Sequence, residues 1–200
     1  VMAQQAGKSL RIKSLFDLPR EELFISGHGL CAGCTAGTIM RMLTKVAGKD
    51  TIIVNATGCV EVATTRYPYS NWLVPWFHSA FENAGASASG IARTIEVLKR
   101  KGVIPKDKQA KVVVVAGDGG TVDIGLQSLS GMLERRDPVM YVLYDNEAYM
   151  NTGIQRSGGH AVPRVDHHDA DRQGLEGRVE DEEGHSYDSC GAQDTLRRHS

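Results

Sequence analysis

Three short apolar runs punctuate the chain, and each ends abruptly in polar or glycine-rich residues. Residues 51–54 run into Asn55-Ala56-Thr57-Gly58-Cys59, residues 112–116 into Gly117-Asp118-Gly119-Gly120, and residues 139–144 into Asp145-Asn146-Glu147. Continuous apolar runs, rather than alternating ones, predict strands buried on both faces. Between them the period changes. Ile39, Met42, Leu43 and Val46 recur at helical spacing before Ala47-Gly48. Ile124, Leu126, Leu129, Met132 and Leu133 mark a second amphipathic helix, ended by Asp137-Pro138. Residues 79–100 are predicted to be a helix whose small residues (Ala84, Gly85, Ala86, Ala88, Gly90) suit close packing on another helix or a partner subunit. Residues 67–76, rich in aromatics and proline, are expected to form an irregular surface or pocket wall. The order β-α-β-α-β with short loops predicts an α/β fold: a parallel sheet with helices on both faces.

The polar tips carry the chemistry. Asp118 and Asn146 stand 28 positions apart, close to the roughly 30 residues of one β-α-β unit. Parallel neighbouring strands would bring both to one sheet edge, where α/β folds bind ligands. A carboxylate and an amide oxygen there, beside glycines that admit close backbone approach, suit Mg²⁺ and a diphosphate. Cys31 and Cys34 form a C-x₂-C, and Cys59 follows on another strand-end loop. Three thiols on glycine-rich loops can converge on an iron–sulfur cluster or zinc; a dithiol or inert cysteines are the plainer alternatives. His28 is either a fourth ligand or a loop residue. Gly27-x-Gly29-x-x-Ala32 mimics a dinucleotide fingerprint, which is set aside because Asp50 precedes the next strand instead of ending it. Asp123 is expected to cap the helix that follows. Glu82 is read as a solvated or salt-bridged glutamate, and Trp72 and Trp76 as packing or subunit-interface residues.

Composition narrows the class. A net charge of −1 gives no reason to expect nucleic acid or an anionic membrane as partner. No apolar run approaches the ~20 residues of a membrane span, and residues 1–18 hold no signal-peptide core. The expected compartment is the cytoplasm, where cysteines serve metal or redox chemistry before disulfides. The averages hide a break. Residues 1–159 carry 18 Lys+Arg against 14 Asp+Glu, whereas residues 160–200 carry 5 against 10 with no lysine and five of the seven histidines. Three parts are therefore expected: an N-terminal arm (1–26) that can dock through Leu15, Phe16 and Leu18, an α/β domain (27–159), and an aberrant tail (160–200) with the composition of disorder.

Residues 24–159 resemble the beta subunit of the 2-oxoacid:ferredoxin oxidoreductases, nearest to those acting on pyruvate. The resemblance lies in Gly27-His28 through Cys34, Ala56-Thr57-Gly58-Cys59-Val60-Glu61, Phe81-Glu82-Asn83-Ala84, Ser89-Gly90-Ile91, Gly117 to Gly125 and Tyr144 to Arg156. It implies a thiamine-diphosphate-binding fold. Mg²⁺ would be held by Asp118, Asn146 and the Ala148 carbonyl, and the cofactor by Cys59, Gly117, Asp118, Gly119, Gly120 and Asn146, Glu147, Ala148, Tyr149, Met150, Asn151. Cys31, Cys34 and Cys59 would ligate a [4Fe–4S] cluster close to the cofactor, with Asn151 beside the reacting centre. The implied reaction is oxidative decarboxylation of a 2-oxoacid to acyl-CoA, with electrons passing singly through the cluster to ferredoxin. The implied partners are an alpha subunit, which supplies the glutamate that activates the cofactor, and gamma and ferredoxin-like delta subunits. Alone, this chain is expected to be inactive. A branched-chain 2-oxoacid subunit, a non-catalytic iron–sulfur or zinc electron carrier, and a thiamine enzyme without redox function are the competing readings.

The resemblance stops at His160. The residues from His160 onward can be written in codons that, read one base later, give Thr-Pro-Tyr-Arg-Val-Trp and a threonine-rich stretch, the continuation this family has. Residues 160–200 are therefore read as a frameshift product, in which Cys190 is accidental and the histidines form no metal site.

Overall fold

The computed structural model describes residue 14, residues 17–159, and two short strands at 178–180 and 186–188. The expectations for Leu15, Phe16, Cys190, the tail histidines and most of the tail lie outside the described residues.

The chain runs α1 (Ala36–Ala47), β1 (Thr51–Ala56), α2 (Cys59–Thr64), β2 (Trp76–Ser79), α3 (Ala84–Arg100), β3 (Lys111–Gly117), α4 (Leu126–Glu134) and β4 (Val139–Tyr144). A small β5–β6 hairpin (Ala148–Tyr149 with Gln155–Arg156) follows, and β7 (Arg178–Glu180) pairs antiparallel with β8 (Ser186–Asp188). The main sheet has the order β2-β1-β3-β4 and every pairing in it is parallel. Gly117 lies opposite Tyr144 in the β3–β4 register, so the polar loops after both strands open at the same sheet edge.

Both faces are covered, as the apolar runs predict. Val113 and Val115 of β3 face a cluster with Ile53, Val60, Met40, Leu23, Phe24 and Trp72. Val112, Val114 and Ala116 face the α3 residues Ala84, Ala88, Ala92 and Ile95. Each fully buried valine contributes roughly 2 kcal/mol. Leu23 and Phe24 belong to this core, and Glu22 accepts both Arg41 (2.6 Å) and Lys45 (2.8 Å) of α1. The segment just before the glycine-rich loop is thus fastened to the domain.

Three local expectations change. Residues 76–79 form strand β2, and the following helix starts at Ala84 rather than residue 79. The buried face of α1 is Ala36, Gly37, Met40 and Thr44, while Ile39, Met42 and Val46 are exposed. In α4 only Met132 is buried; Leu126 and Leu133 are exposed, as is Ile124 just before it. Apolar periodicity marks a helix correctly but does not say which apolar stripe the rest of the chain covers. The small residues of α3 do admit close packing: a Cβ at Gly85 would stand 2.8 Å from the Ser128 carbonyl oxygen of α4.

Candidate functional site

Three strand-end loops and Phe81 line one pocket at the sheet edge: Thr57, Gly58 and Cys59 after β1, Gly117 to Gly120 after β3, and Tyr144, Asn146 and Ala148 to Thr152 after β4. Asp118 is buried (2% exposed) and opens a π-helical turn, Gly119–Asp123, in which Ile124 N–H donates to Gly119 O (3.2 Å). Turns of this kind recur at functional sites. Here it aims the backbone of Gly119 and Gly120 into the pocket, while Thr121 Oγ1 donates to Gly117 O (2.6 Å) and secures the start of the turn.

The outer atom of the Asn146 amide lies 2.9 Å from Asp118 Oδ1 and 3.1 Å from Ala148 O. With nitrogen in that position, the amide donates to both. With oxygen there, three oxygens face one another at a spacing that would be repulsive without a cation. Adjacent ligands of an octahedral Mg²⁺, at 2.0–2.1 Å from the ion, are separated by about 2.9 Å. The donor set therefore fits Mg²⁺, and the amide orientation that is unfavourable in the bare site is the one the ion requires.

Tyr149 braces the second loop. Its ring stacks on Phe81 at 5.7 Å and lies where a Cβ on Gly119 would be, so only glycine fits there. Its hydroxyl donates to Asp123 Oδ2 (2.9 Å), which also accepts Gly158 N–H (2.8 Å). Asp123 consequently does not cap α4, whose preceding residue Gly125 makes no side-chain cap. It ties the π-helical turn to the hairpin instead, a role that spacing alone does not reveal. Burial, reinforced by Asp123, pushes the Tyr149 hydroxyl up to about 12. Glu147 is exposed, with φ of +70° and its N–H donating to Asp145 Oδ1 (2.9 Å); it shapes the turn and does not line the pocket. Asn151 stands exposed at the rim.

Cys31 and Cys34 are exposed and Cys59 is half-buried, all three as free thiols. Cys34 N–H donates to Cys31 O (3.0 Å), closing the C-x₂-C turn. Burial pushes the Cys59 thiol up, and the negative charges of Cys31 and Cys34 push it further. Cys59 therefore lies within electrostatic reach of the C-x₂-C turn. Among the described residues, no three His, Cys, Asp or Glu side chains are already close enough to hold a metal ion. His28 stacks on Phe24 at 5.7 Å, and a Cβ on Gly37 would lie 2.9 Å from its Nε2, so it packs against α1. Trp72 is a core residue whose indole N–H donates to Thr64 Oγ1 (2.9 Å). Glu82 precedes α3, with its carbonyl accepting Ser128 Oγ (2.6 Å). Among the described residues, no helix is long and apolar enough to cross a membrane.

A parallel sheet with an oxygen-rich, glycine-lined cleft at its carboxyl edge is the architecture of a diphosphate-cofactor domain. Residues 56–176 match the thiamine pyrophosphate enzyme C-terminal TPP-binding domain, and the chain belongs to that family. Among its relatives, pyruvate synthase subunit PorB of Methanocaldococcus jannaschii is 59% identical over 72% of this chain and 48% of that protein. The PorB of Thermotoga maritima is 51% identical over 71% and 45%. Ketoisovalerate oxidoreductase subunit VorB of Pyrococcus abyssi is 47% identical over 73% and 46%. The chain spans about half the length of these relatives. The fold is also that of a 2-oxoglutarate:ferredoxin oxidoreductase from Magnetococcus marinus, solved with 2-oxoglutarate, coenzyme A and succinyl-CoA bound. That match has a TM-score of 0.50 and 22% identity, and covers 73% of this chain and 48% of the other.

Proposed function

We propose that this chain is the thiamine-diphosphate-binding part of the beta subunit of a pyruvate:ferredoxin oxidoreductase. The observation that carries this reading is the convergence of Asp118, Asn146 and the Ala148 carbonyl at Mg²⁺-ligand spacing. These three hold Mg²⁺. The Gly117–Gly120 backbone faces the diphosphate, and residues 146–151 close over it. Thiamine diphosphate, when bound, supplies the carbon nucleophile and electron sink that 2-oxoacid decarboxylation needs. The protein's own contribution is orientation. Asp118 and the Asn146 oxygen would hold the Mg²⁺ that binds the diphosphate, the Phe81–Tyr149 stack walls the pocket, and Asn151 would offer the reacting centre an amide that can donate or accept.

Cys31, Cys34 and Cys59 would hold a [4Fe–4S] cluster, which would supply one-electron transfer toward ferredoxin. The placement of Cys59 within electrostatic reach of the C-x₂-C turn supports that role. The alpha subunit completes the active site, gamma and delta subunits extend the assembly, and coenzyme A takes the acyl group. Pyruvate is favoured over branched 2-oxoacids because the PorB relatives span 47–59% identity whereas the VorB relative stands at 47%. Residues 160–200 are proposed to be a frameshift product, although the family match continues to residue 176; DNA sequence around the Gly159 codon decides it, and an intact frame continuing into His160 overturns it.

Titration of thiamine diphosphate with Mg²⁺ and with EDTA, followed by anaerobic loading with iron and sulfide and EPR, tests the site. Mg²⁺-dependent binding and a cluster signal lost in Cys31→Ser are expected. Binding indifferent to Mg²⁺ overturns the metal assignment, and a loaded protein that stays EPR-silent after reduction with dithionite overturns the cluster. Turnover of pyruvate against 3-methyl-2-oxobutanoate, in complex with the partner subunits, decides the substrate.

A further inference from the structure

Behind the pocket wall formed by the loop after β1 stands a row of polar side chains that the proposed function does not use. Thr57 lines the pocket. Its backbone N–H donates to Ser79 O (3.2 Å), which fastens the loop to β2. Its hydroxyl oxygen lies 2.7 Å from His78 Nε2, and 3.4 Å from the same Ser79 carbonyl, a much weaker contact. His78 is held from two further directions. Its ring stacks on Trp76 (centroids 6.1 Å, planes 25° apart), and its Nδ1 stands 3.8 Å from Glu61 Oε1 of α2. That carboxylate is fixed in turn, because Glu61 Oε1 accepts the Thr65 hydroxyl (3.0 Å).

Proton positions follow from these contacts. A carboxylate on the Nδ1 side favours a proton on that nitrogen. Nε2 of the neutral ring is then an acceptor, and the Thr57 hydroxyl donates to it. A ring protonated at both nitrogens reverses the bond: Nε2–H donates to Thr57 Oγ1, and the hydroxyl proton is released toward the pocket. Among the described residues, no lysine, arginine or histidine lines the pocket, so His78 reaches a bound anion at one remove. The His78 side chain is 43% exposed, which lets solvent supply the proton, and Glu61 balances the charge.

We propose that His78, backed by Glu61, is a positioning residue that sets the direction of the Thr57 hydroxyl proton. In the free chain the proton points to Nε2. When an anionic oxygen binds, the hydroxyl donates to it, while Nε2 takes one proton from solvent and donates to Oγ1. The inference deepens the proposed function and rests on it for the source of that oxygen, the cofactor diphosphate or the substrate carboxylate.

The test follows the His78 ring by ¹⁵N NMR in the full chain, with Mg²⁺ and either inorganic pyrophosphate or thiamine diphosphate. If the diphosphate is the source, the Nε2 signal moves from the acceptor to the protonated type. Thr57→Val then weakens binding about tenfold by calorimetry, the size of one hydrogen bond, and Thr57→Ser restores it. If the substrate carboxylate is the source, those quantities hold still. In the complex with the partner subunits, Thr57→Val then raises KM for pyruvate about tenfold, by a larger factor than kcat falls. His78→Phe keeps the ring on Trp76 and weakens the same quantity about threefold, as loss of an orienting partner allows. Because His78 acts through Thr57, the double variant stays within about twofold of Thr57→Val. Losses that multiply overturn the inference, as do binding and KM both indifferent to Thr57→Val. A wild type that binds pyrophosphate but not thiamine diphosphate overturns the cofactor reading, while the Nε2 signal with pyrophosphate still decides the role of His78. A wild type that binds neither and turns over no 2-oxoacid in the complex overturns both.

Discussion

Asp118 and Asn146 meet at 2.9 Å although 28 positions separate them in the chain, one buried at the end of β3 and the other in the loop after β4. The Ala148 carbonyl joins them at 3.1 Å from the same Asn146 atom. Replacing Asp118 with Ala removes the only formal charge of the three. Mg²⁺-dependent thiamine diphosphate affinity should fall at least about 100-fold by calorimetry, since even outer-shell partners of a metal cost 10–100-fold. Asn146→Ala should weaken binding less, because a neutral donor is lost.

The Tyr149–Asp123 hydrogen bond is a charge-assisted contact in a partly buried setting. Tyr149→Phe and Asp123→Asn should each destabilise the domain by about 1–3 kcal/mol in urea titrations. The double variant should cost clearly less than the sum of the two, because both remove the same bond.

Two glycines on α3 should respond with opposite signs. Gly85→Ala forces a methyl against the α4 backbone and should destabilise by about 1–3 kcal/mol. Gly90→Ala meets nothing within 4 Å and should stabilise by about 0.5–1 kcal/mol through helix propensity and a less flexible unfolded chain. Thermal melts of the two variants side by side check the contrast.

Acid should weaken the fold through identifiable carboxylates. Arg41 and then Lys45 hold Glu22 down to about 2 from its ordinary 4.5. Asp137, whose side chain is fully enclosed, is lowered by Ser89 and by Arg135 and Arg93. Between the two pKa values of each group the unfolded chain binds more protons, so stability falls as pH falls. The contribution is complete above the ordinary carboxylate range and is lost as pH drops through the folded values. Urea midpoints between pH 6 and pH 2 should show this decline, and Glu22→Gln should flatten part of it.

The sheet was legible because buried strands are written as unbroken apolar runs. β1 and β3 are buried as their runs predict, whereas β4, at the edge of the described sheet, is a strand as predicted but leaves Met140 and Leu143 exposed. Strand β2 was not legible. It is a four-residue edge strand, Trp-Phe-His-Ser, with two exposed positions, and it has neither a continuous nor a cleanly alternating pattern. Helices α1 and α4 were found by their period, but their buried faces were not, because burial depends on what lies opposite. The role of Asp123 was misread for a related reason: its partners, Tyr149 and Gly158, are 26 and 35 positions away.

The amino-acid sequence by itself determined the parallel α/β architecture and the placement of Asp118, Asn146 and the three cysteines at loop positions. These follow from local periodicity and from which residues end each strand. Only the tertiary structure decided how those loops meet. The register that sets Gly117 opposite Tyr144 brings the oxygen donors to ion-ligand spacing and lays a tyrosine hydroxyl against Gly58. Such contacts are products of strand order and of the space that glycines leave open, neither of which a local pattern encodes.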